Sequence, residues 1–339
     1  MSLPTRRTTA LRRGLAAIDA VGAFALLAAC SSGPTETTAP EETVAVDPFA
    51  PEVTDVKLAG IKAPGLIPLH IAATETSAEY GLTIEPVWID NSGIAITSVI
   101  SGEVAAANAS YFGAIDAINQ GLEIVLIAEG WASTPGTGSL EALPSSGIET
   151  LADLEGKTVN VISLNSSHAI KLRDVMLSEG LDPEAVNWVE LPYGEVAAAL
   201  EQGTIDASSA VGPTLGAVKG MGSVTVFDYG AEPFTGMAES GWWASKAFVD
   251  ANPNTVAAIQ CSIFGAQGAL VADRALYDTA FQELLGAPEA VAKADIMLDF
   301  QTSNRLDQIQ RNADLYLAAD RITEEFDFSL HVLDAPDNC

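Results

Sequence analysis

The sequence contains only three histidines and three cysteines, and it shows none of the common catalytic or metal-binding motifs. His70, His168 and His331 are far apart in the chain, so none has the spacing of a zinc motif such as His-Glu-x-x-His. No Gly-x-Ser-x-Gly nucleophile elbow is present. The triplet Gly156-Lys157-Thr158 resembles the end of a phosphate-binding loop, but Leu151 occupies the position of its first glycine. We therefore expect no catalytic residue, no metal site and no cofactor.

Basic residues are also scarce, with 16 Lys and Arg against 45 Asp and Glu. Four of the arginines precede Cys30, which leaves the rest of the chain more acidic still. Binding to nucleic acid depends on neutralising phosphates with Lys and Arg, so this charge argues against a nucleic-acid partner. The same negative charge gives no long-range attraction for anionic ligands, and it favours solubility outside the cell.

The N-terminus has the pattern of an export signal, in which four arginines before residue 14 precede an apolar run at residues 20–29. This run has the length of a signal peptide and is too short to span a bilayer. It ends in Leu27-Ala28-Ala29-Cys30, which resembles the lipobox of bacterial lipoproteins. We predict a lipoprotein signal peptide at residues 1–29, lipidation of Cys30 and a flexible tether at residues 30–52. The alternatives are an ordinary signal peptide with a chance cysteine, and twin-arginine rather than Sec export.

The two remaining cysteines, Cys261 and Cys339, are the only candidates for a disulfide if Cys30 carries lipid. Outside the cell such a pair is more often oxidised than free. We expect a bridge that fixes the C-terminal tail to the helix containing Cys261. Because sequence fixes no distance between them, two free thiols are the alternative.

Two stretches of the chain, residues 80–107 and 179–207, repeat the same pattern. Each has a glycine and leucine after a helix (Gly81 and Gly180), then a strand, an amphipathic helix, a second glycine (Gly102 and Gly203) and a short apolar strand. Two copies of one α/β unit predict two lobes, and two lobes imply a cleft that could hold a ligand.

Residues 53–128 read as alternating strands and helices, which is the signature of a parallel doubly wound sheet. Residues 131–147 and 229–241 interrupt this pattern, and we interpret them as the two crossings between lobes. We therefore assign residues 53–130 and 240–339 to lobe 1 and residues 131–239 to lobe 2. Residues 255–320 are predicted to be almost entirely helical and to pack around lobe 1 and the hinge.

Several short motifs together resemble the substrate-binding proteins of ABC importers of the taurine, nitrate, alkanesulfonate and thiamine-pyrimidine type. They are the glycine turns of the repeat and three segments at residues 151–159, 198–207 and 247–253. The resemblance covers roughly residues 53–320. It implies a type 2 periplasmic-binding-protein fold, that is, two α/β lobes joined by a two-segment hinge, with the ligand trapped when the lobes close. It also implies a small-molecule ligand, a permease and an ATPase as partners, and a monomer held on the outer face of the cell membrane by lipid.

Ligands of doubly wound sheets lie beyond the carboxyl ends of the strands, where helix N-termini point. This rule and the two crossings give the following candidate ligand-binding residues: Asn91, Ser92, Ser110, Tyr111, Trp131, Asn165, Ser166, Ser167, His168, Gly212, Thr214 and Trp242. Helix capping is the alternative role for the run at residues 165–167. We interpret Trp243 as hinge packing, and Trp88 and Trp188 as core residues.

The sequence departs from the anion-binding members of this family, because Lys62 is the only Lys or Arg near the candidate loops. A buried sulfonate or nitrate usually needs an arginine or several N–H donors. The cysteine cluster of the pyrimidine-synthase relatives is also missing. We predict a binding protein rather than an enzyme, for a sulfonate- or nitrate-type or a thiamine-pyrimidine-type compound. A sensory lipoprotein and a secreted enzyme on the same fold are the alternatives.

Overall fold

The structure is a computed structural model, and it describes residues 49–90, 92–319, 321–337 and 339. The predicted signal peptide, Cys30 and residues 31–48 of the predicted tether lie outside the described residues. The described chain contains twelve strands: β1 (Asp55–Ile61), β2 (Thr83–Ile89), β3 (Ala106–Ala109), β4 (Ile124–Glu129), β5 (Trp131–Ala132), β6 (Gly138–Ala142), β7 (Thr158–Val161), β8 (Asn187–Glu190), β9 (Ala207–Val211), β10 (Val224–Asp228), β11 (Gly241–Ser245) and β12 (Asp299–Phe300).

Eleven α-helices cover the faces of the sheets in the described residues. They are α1 (Ile67–Thr74), α2 (Ser92–Ile100), α3 (Tyr111–Asn119), α4 (Ser167–Ser178), α5 (Tyr193–Gln202), α6 (Gly212–Gly220), α7 (Lys246–Ala251), α8 (Pro253–Ala272), α9 (Arg274–Leu285), α10 (Glu289–Ala294) and α11 (Leu306–Ala318). Short 3-10 turns lie at Pro64–Leu66, Thr76–Tyr80, Pro144–Ser146, Leu151–Leu154, Pro183–Ala185 and Phe328–Leu330.

The first five-stranded sheet, on which lobe 1 is built, has the order β2-β1-β3-β11-β4. Strand β1 pairs in parallel with β2 and β3, whereas β11 is antiparallel to both of its neighbours. The sequence predicted the four parallel strands but not β11, which begins at the end of the second predicted crossing. Strand β11 takes an inner position in the sheet, between β3 and β4, and every residue of it except the last is buried.

The second five-stranded sheet, on which lobe 2 is built, has the order β10-β6-β9-β7-β8. Strand β7 is parallel to β8 and β9, and β6 is antiparallel to β9 and β10. The sequence predicted a crossing at residues 131–147 and no strand there, but β6 lies inside this range and is buried along its whole length. Each sheet therefore contains one inner antiparallel strand that enters directly after a crossing.

The internal repeat is visible as two corresponding units, β2-α2-β3 in lobe 1 and β8-α5-β9 in lobe 2. The glycines that begin the two copies, Gly81 and Gly180, both have left-handed backbones, with φ of 71° and 76°. This conformation strains other residues and is suited to ending a helical segment and turning the chain into a strand. Two α/β lobes, each with a doubly wound sheet, are the fold class that the sequence predicted.

The tryptophans of the repeat are not core residues, contrary to the prediction. Trp88 is 38% exposed because β2 is an edge strand. Trp188 is half-buried on the other edge strand, β8, where the guanidinium of Arg173 lies 4.5 Å from its ring centroid. Trp242 and Trp243 are buried instead, because β11 is an inner strand with helices on both of its faces.

Helix α8 is the central helix of lobe 1, with twelve of its twenty residues buried. By length and apolar composition it could span a membrane, but about two thirds of its most apolar window is buried inside the fold, as in the core helix of a globular protein. Gln260 on this helix donates its side-chain N–H to the carbonyl of Ile127 at 2.7 Å. The sulfur atoms of Cys261 and Cys339 are bonded, with 4.8 Å between the Cα atoms, so the C-terminus is fixed to α8.

The last residues of the predicted tether belong to the folded part of the chain. Phe49 is buried and packs edge-on against the ring of Tyr80, with 5.2 Å between the ring centroids. The carboxylate of Glu52 accepts hydrogen bonds from the backbone N–H groups of Asn254 and Thr255 at 3.1 and 2.8 Å. A carboxylate at this place caps the N-terminus of α8. The tether boundary predicted at residue 52 is therefore wrong by at least four residues.

Candidate functional site

A cleft lies between the two lobes and is lined by the segments that follow β1, β3, β7 and β9, together with the two crossings. Its residues at these strand ends and in the segments that follow them are Ile61, Ala63, Pro64, Gly65, Leu66, Asn108, Ala109, Ser110, Ile162, Ser166, Ser167, His168 and Val211. The other residues are Trp131, Thr137, Gly138, Tyr193, Tyr229, Gly230, Glu239, Ser240, Asp295, Ile296 and Leu298. The carboxyl ends of these strands therefore lie at the wall of the cleft, where the rule expects a ligand.

Five of the predicted ligand-binding residues line this cleft: Ser110, Trp131, Ser166, Ser167 and His168. Asn91 lies outside the described residues, and Ser92 is described only as the start of α2. Tyr111, Asn165, Gly212, Thr214 and Trp242 are not among the lining residues.

Burial explains why Tyr111 and Trp242 do not reach the cleft. Tyr111 is completely buried and packs edge-on against Trp243, with 5.8 Å between the ring centroids. Trp242 is only 2% exposed and belongs to the core of lobe 1. Thr214 lines a separate shallow depression, where its hydroxyl donates to the carbonyl of Tyr193 at 3.3 Å.

Asn165 connects the two lobes directly. Its backbone carbonyl accepts a hydrogen bond from the Ser110 hydroxyl at 2.8 Å, and its side-chain N–H donates to the carboxylate of Asp116 at 2.8 Å. The Tyr316 hydroxyl also donates to Asp116, at 2.9 Å. Burial raises the pKa of Asp116, and the hydrogen bond from Tyr316 lowers it only in part. These bonds join the start of α4 to α3, so they form only when the lobes are in contact.

Gly212 makes the second contact between lobes, against Pro64. A Cβ atom on Gly212 would lie 2.4 Å from Pro64 Cγ, which is closer than real Cβ atoms approach any carbon. Gly212 also has a left-handed backbone, with φ of 47°. Only glycine satisfies both conditions. With glycine at position 212 the two lobes can therefore approach each other more closely than with any other residue there.

Three buried polar atoms in the cleft have no hydrogen-bond partner among the described residues. They are Asn108 Nδ2, Ser167 Oγ and Ser240 Oγ. An unpaired buried polar group costs about 1–3 kcal/mol, so each has a physical reason to bind something that enters the cleft. Sequence reasoning named Ser167 but missed Ser240, which lies near the end of the second crossing and belongs to no sequence motif.

A buried ion pair stands at the wall of the cleft and was also missed. The ammonium of Lys171 and the hydroxyl of Ser133 both bind Oε1 of Glu239. Burial raises the pKa of Glu239, but the attraction of Lys171 and His168 and the hydrogen bonds from Lys171 and Ser133 together outweigh it and hold the pKa below its ordinary value. Burial lowers the pKa of Lys171, and Glu239 opposes this shift. Glu239 therefore carries a carboxylate into the cleft.

Aromatic rings form the flat walls of the cleft. His168 stacks on Tyr229 with 4.2 Å between the ring centroids and 9° between the planes. Burial lowers the pKa of His168 to about 4; Glu239 raises it and Lys171 lowers it to a smaller extent, so the ring is neutral at pH 7. The indole ring of Trp131, which also lines the cleft, lies over Gly65, where a Cβ atom would be 2.4 Å from the ring.

The charged side chains that line the cleft are acidic. Glu239 and Asp295 are among the lining residues, and no Lys or Arg of the described chain is. Burial raises the pKa of Asp295, whose carboxylate accepts a hydrogen bond from the Tyr277 hydroxyl at 2.6 Å. Lys62 is exposed and lies at the separate depression beside Thr214. Among the described residues there is also no group of His, Cys, Asp and Glu that could hold a metal ion.

The sequence model of the family described as NMT1/THI5 like matches residues 78–269, which is more than half of the chain. No curated protein sequence matches the chain at a significant level.

Solved structures with a similar fold include the alkanesulfonate-binding protein SsuA from Xanthomonas axonopodis pv. citri, bound to MOPS. It is 20% identical, with 84% of this chain and 99% of that chain covered and a TM-score of 0.71. The aliphatic sulphonate-binding protein SsuA from Escherichia coli is 17% identical, with 82% and 97% covered and a TM-score of 0.65. The nitrate-binding protein NrtA from Synechocystis PCC 6803 is 16% identical, with 83% and 85% covered and a TM-score of 0.71. At these identities the likeness shows the fold, and it confirms the predicted type 2 periplasmic-binding-protein architecture.

Replacing Gly212 with Ala should weaken ligand binding, because the new methyl group would collide with Pro64 before the lobes close fully. Overpacking of this kind costs about 1–3 kcal/mol, so the Kd of the compound that binds best should rise about five- to a hundredfold. Isothermal titration calorimetry measures the change.

The matched control is Gly203→Ala, which has the same left-handed backbone, with φ of 67°, but nothing within 4 Å of the new Cβ. It should lose some stability and keep the wild-type Kd. Adding Pro64→Ala to Gly212→Ala should restore part of the affinity. Wild-type affinity in the Gly212→Ala protein would show that this contact does not limit closure.

Proposed function

The chain belongs to the NMT1/THI5-like family, and we propose that it is an extracytoplasmic solute-binding lipoprotein of an ABC importer. It captures a small molecule in the cleft when the lobes close and delivers it to the permease and ATPase. The observation that carries this proposal is the cleft itself. Its walls come from both lobes, and it holds buried polar atoms without partners in the described chain.

A ligand in this position stabilises the closed state because it touches both lobes at once. Asn108 and Ser240 would hold it from lobe 1, and Ser167 and His168 from lobe 2. The hydrogen bonds of Ser110 and Asp116 to Asn165 also stabilise the closed state, but they do not depend on the ligand. A ligand shifts the balance between open and closed only by its greater affinity for the closed form, and the contacts with both lobes provide that difference.

The cleft supports the thiamine-pyrimidine type of substrate more than the sulfonate or nitrate type. A buried oxyanion requires an arginine or several N–H donors, whereas the charged residues of this lining are acidic. The stacked and flat aromatic side chains suit a planar ring.

A secreted enzyme on the same fold is the alternative from another class. The buried histidine of the cleft supports binding over catalysis, because a pKa of about 4 makes it a weak base at neutral pH. A compound that stabilises the protein and is recovered unchanged supports binding, and turnover of the compound would support the enzyme.

Thermal shift and native mass spectrometry against taurine, nitrate, aliphatic sulfonates and pyrimidines test the proposed function. We expect at least one compound to bind and to raise the melting temperature, with a pyrimidine ahead of the anions. Replacing Asn165 with Ala should raise the Kd of that compound about tenfold without unfolding the protein, because the hydrogen bond to Asp116 that joins the lobes is lost. If no compound of any class binds, the proposed binding function is wrong.

The lipid anchor depends on Cys30, which follows Leu27-Ala28-Ala29. Replacing Cys30 with Ser should move the protein from the membrane fraction to the soluble fraction and abolish fatty-acid labelling. The Cys339→Ser protein is the matched control and should stay in the membrane fraction. Membrane retention of the Cys30→Ser protein would contradict the anchor.

A further inference from the structure

The carboxylate of Glu239 uses only one of its two oxygen atoms within the described structure. Lys171 and Ser133 both bind Oε1, and no described residue donates a hydrogen bond to Oε2. Glu239 is 7% exposed, and the cleft is the cavity that it lines. A buried carboxylate has capacity for several hydrogen bonds, so the second oxygen remains available to a molecule in the cleft.

We propose that Glu239 determines the specificity of the cleft, and that the ligand is a small planar nitrogen base, neutral or cationic, that donates an N–H hydrogen bond to Oε2. The inference rests on the proposed function of the cleft as a binding site. It adds the recognition group and the hydrogen bond that the ligand must donate to it.

The buried surroundings of Glu239 make it a recognition group of fixed position. Lys171 is completely buried and also donates to the carbonyl of Tyr229 at 3.2 Å, so it cannot turn into the cleft to meet an anion. Its ammonium lies 5.1 Å from the ring centroid of Phe234, a second contact that holds it in place. The positive charge of the pair is therefore behind the carboxylate, and the carboxylate is what the ligand meets.

The rest of the lining favours the same ligand class. A sulfonate or nitrate would have to lie near Glu239 and Asp295 with no Lys or Arg of the described chain in the lining. Asn108 Nδ2, Ser167 Oγ and Ser240 Oγ can donate to an acceptor nitrogen or oxygen on the same ligand. Planarity follows from the indole of Trp131 over Gly65 and from the stacked pair of His168 and Tyr229.

Binding of three probes that share one ring tests the proposal: benzamidine, benzamide and benzenesulfonate. For the wild type we expect the Kd measured by calorimetry to increase in that order, because the positive charge is lost from benzamidine to benzamide and the N–H donors are lost from benzamide to benzenesulfonate. In the Glu239→Gln protein, benzamidine should bind about ten- to a hundredfold more weakly, whereas benzenesulfonate should be unchanged or tighter. The readout is the ratio of the two dissociation constants, which a purely structural role would not change.

Two further variants keep the test interpretable. Glu239→Gln leaves Lys171 buried without its partner, so the double variant Lys171→Met with Glu239→Gln removes both charges together. It should show the same change in the ratio. Glu141→Gln is the matched control, since Glu141 is also buried and paired with a lysine, Lys219, but does not line the cleft. It should keep the wild-type ratio.

The outcomes separate this proposal from the function on which it rests. A ratio that is the same in the wild type and in both Glu239 variants overturns the role of Glu239. Tighter binding of benzenesulfonate, taurine or nitrate than of benzamidine overturns the ligand class and leaves the binding function intact. Failure of every compound in both panels counts against the binding function itself.

Discussion

The structure depends on the constraint that the chain crosses between the lobes twice and enters each sheet as an inner antiparallel strand. Strand β6 follows the first crossing and lies between β9 and β10, and β11 follows the second and lies between β3 and β4. Inner strands cannot slide or detach without exposing the core, so both crossings are fixed at one end. The residues just before each strand, including Thr137 and Glu239, are thereby held at the cleft between the lobes.

The same crossings explain how the protein can bury charged and polar side chains beside the cleft and still be stable. Glu239 on the second crossing meets Lys171 on helix α4 of lobe 2, and Ser133 on the first crossing completes the contact. The ion pair joins three segments that are far apart in the sequence. Removing either partner would leave an uncompensated buried charge, so the pair fixes where the crossings lie relative to α4. Asn108, Ser167 and Ser240 line the cleft and each keep one polar atom unpaired within the described residues, where a ligand can satisfy it.

The fold could be predicted from the sequence because its signals are local. The glycines with left-handed backbones, the amphipathic helices and the apolar strands of the repeat each mark an element by themselves, and their order marks two lobes. Strands β6 and β11 were missed because their neighbours contain Gly, Pro and Ser. Trp88 and Trp188 were misplaced because nothing local in a sequence shows that a strand is at an edge.

Apart from Trp131 at the first crossing, the predicted residues that line the cleft lie where a strand end and a helix start coincide. Ser110, Ser166, Ser167 and His168 follow that rule and line the cleft. Asn165 obeys it too, yet its side chain bonds to Asp116 across the lobes, a contact between residues 49 positions apart. Lys171, Glu239 and Ser240 belong to the site through tertiary packing alone, and no spacing in the sequence brings them together.

The central claim is that a ligand closes the lobes over the cleft, and an interlobe distance measures this directly. The exposed residues Ser101 and Gln202 lie at the ends of α2 and α5, the corresponding helices of the two lobes, and are suitable positions for a pair of spin labels. With the best-binding compound present, double electron–electron resonance should show a narrow distribution of distances between the two labels, and its mean should match the structure. Without the compound the distribution should be broader and include separated lobes. An identical distribution with and without the compound would contradict the account.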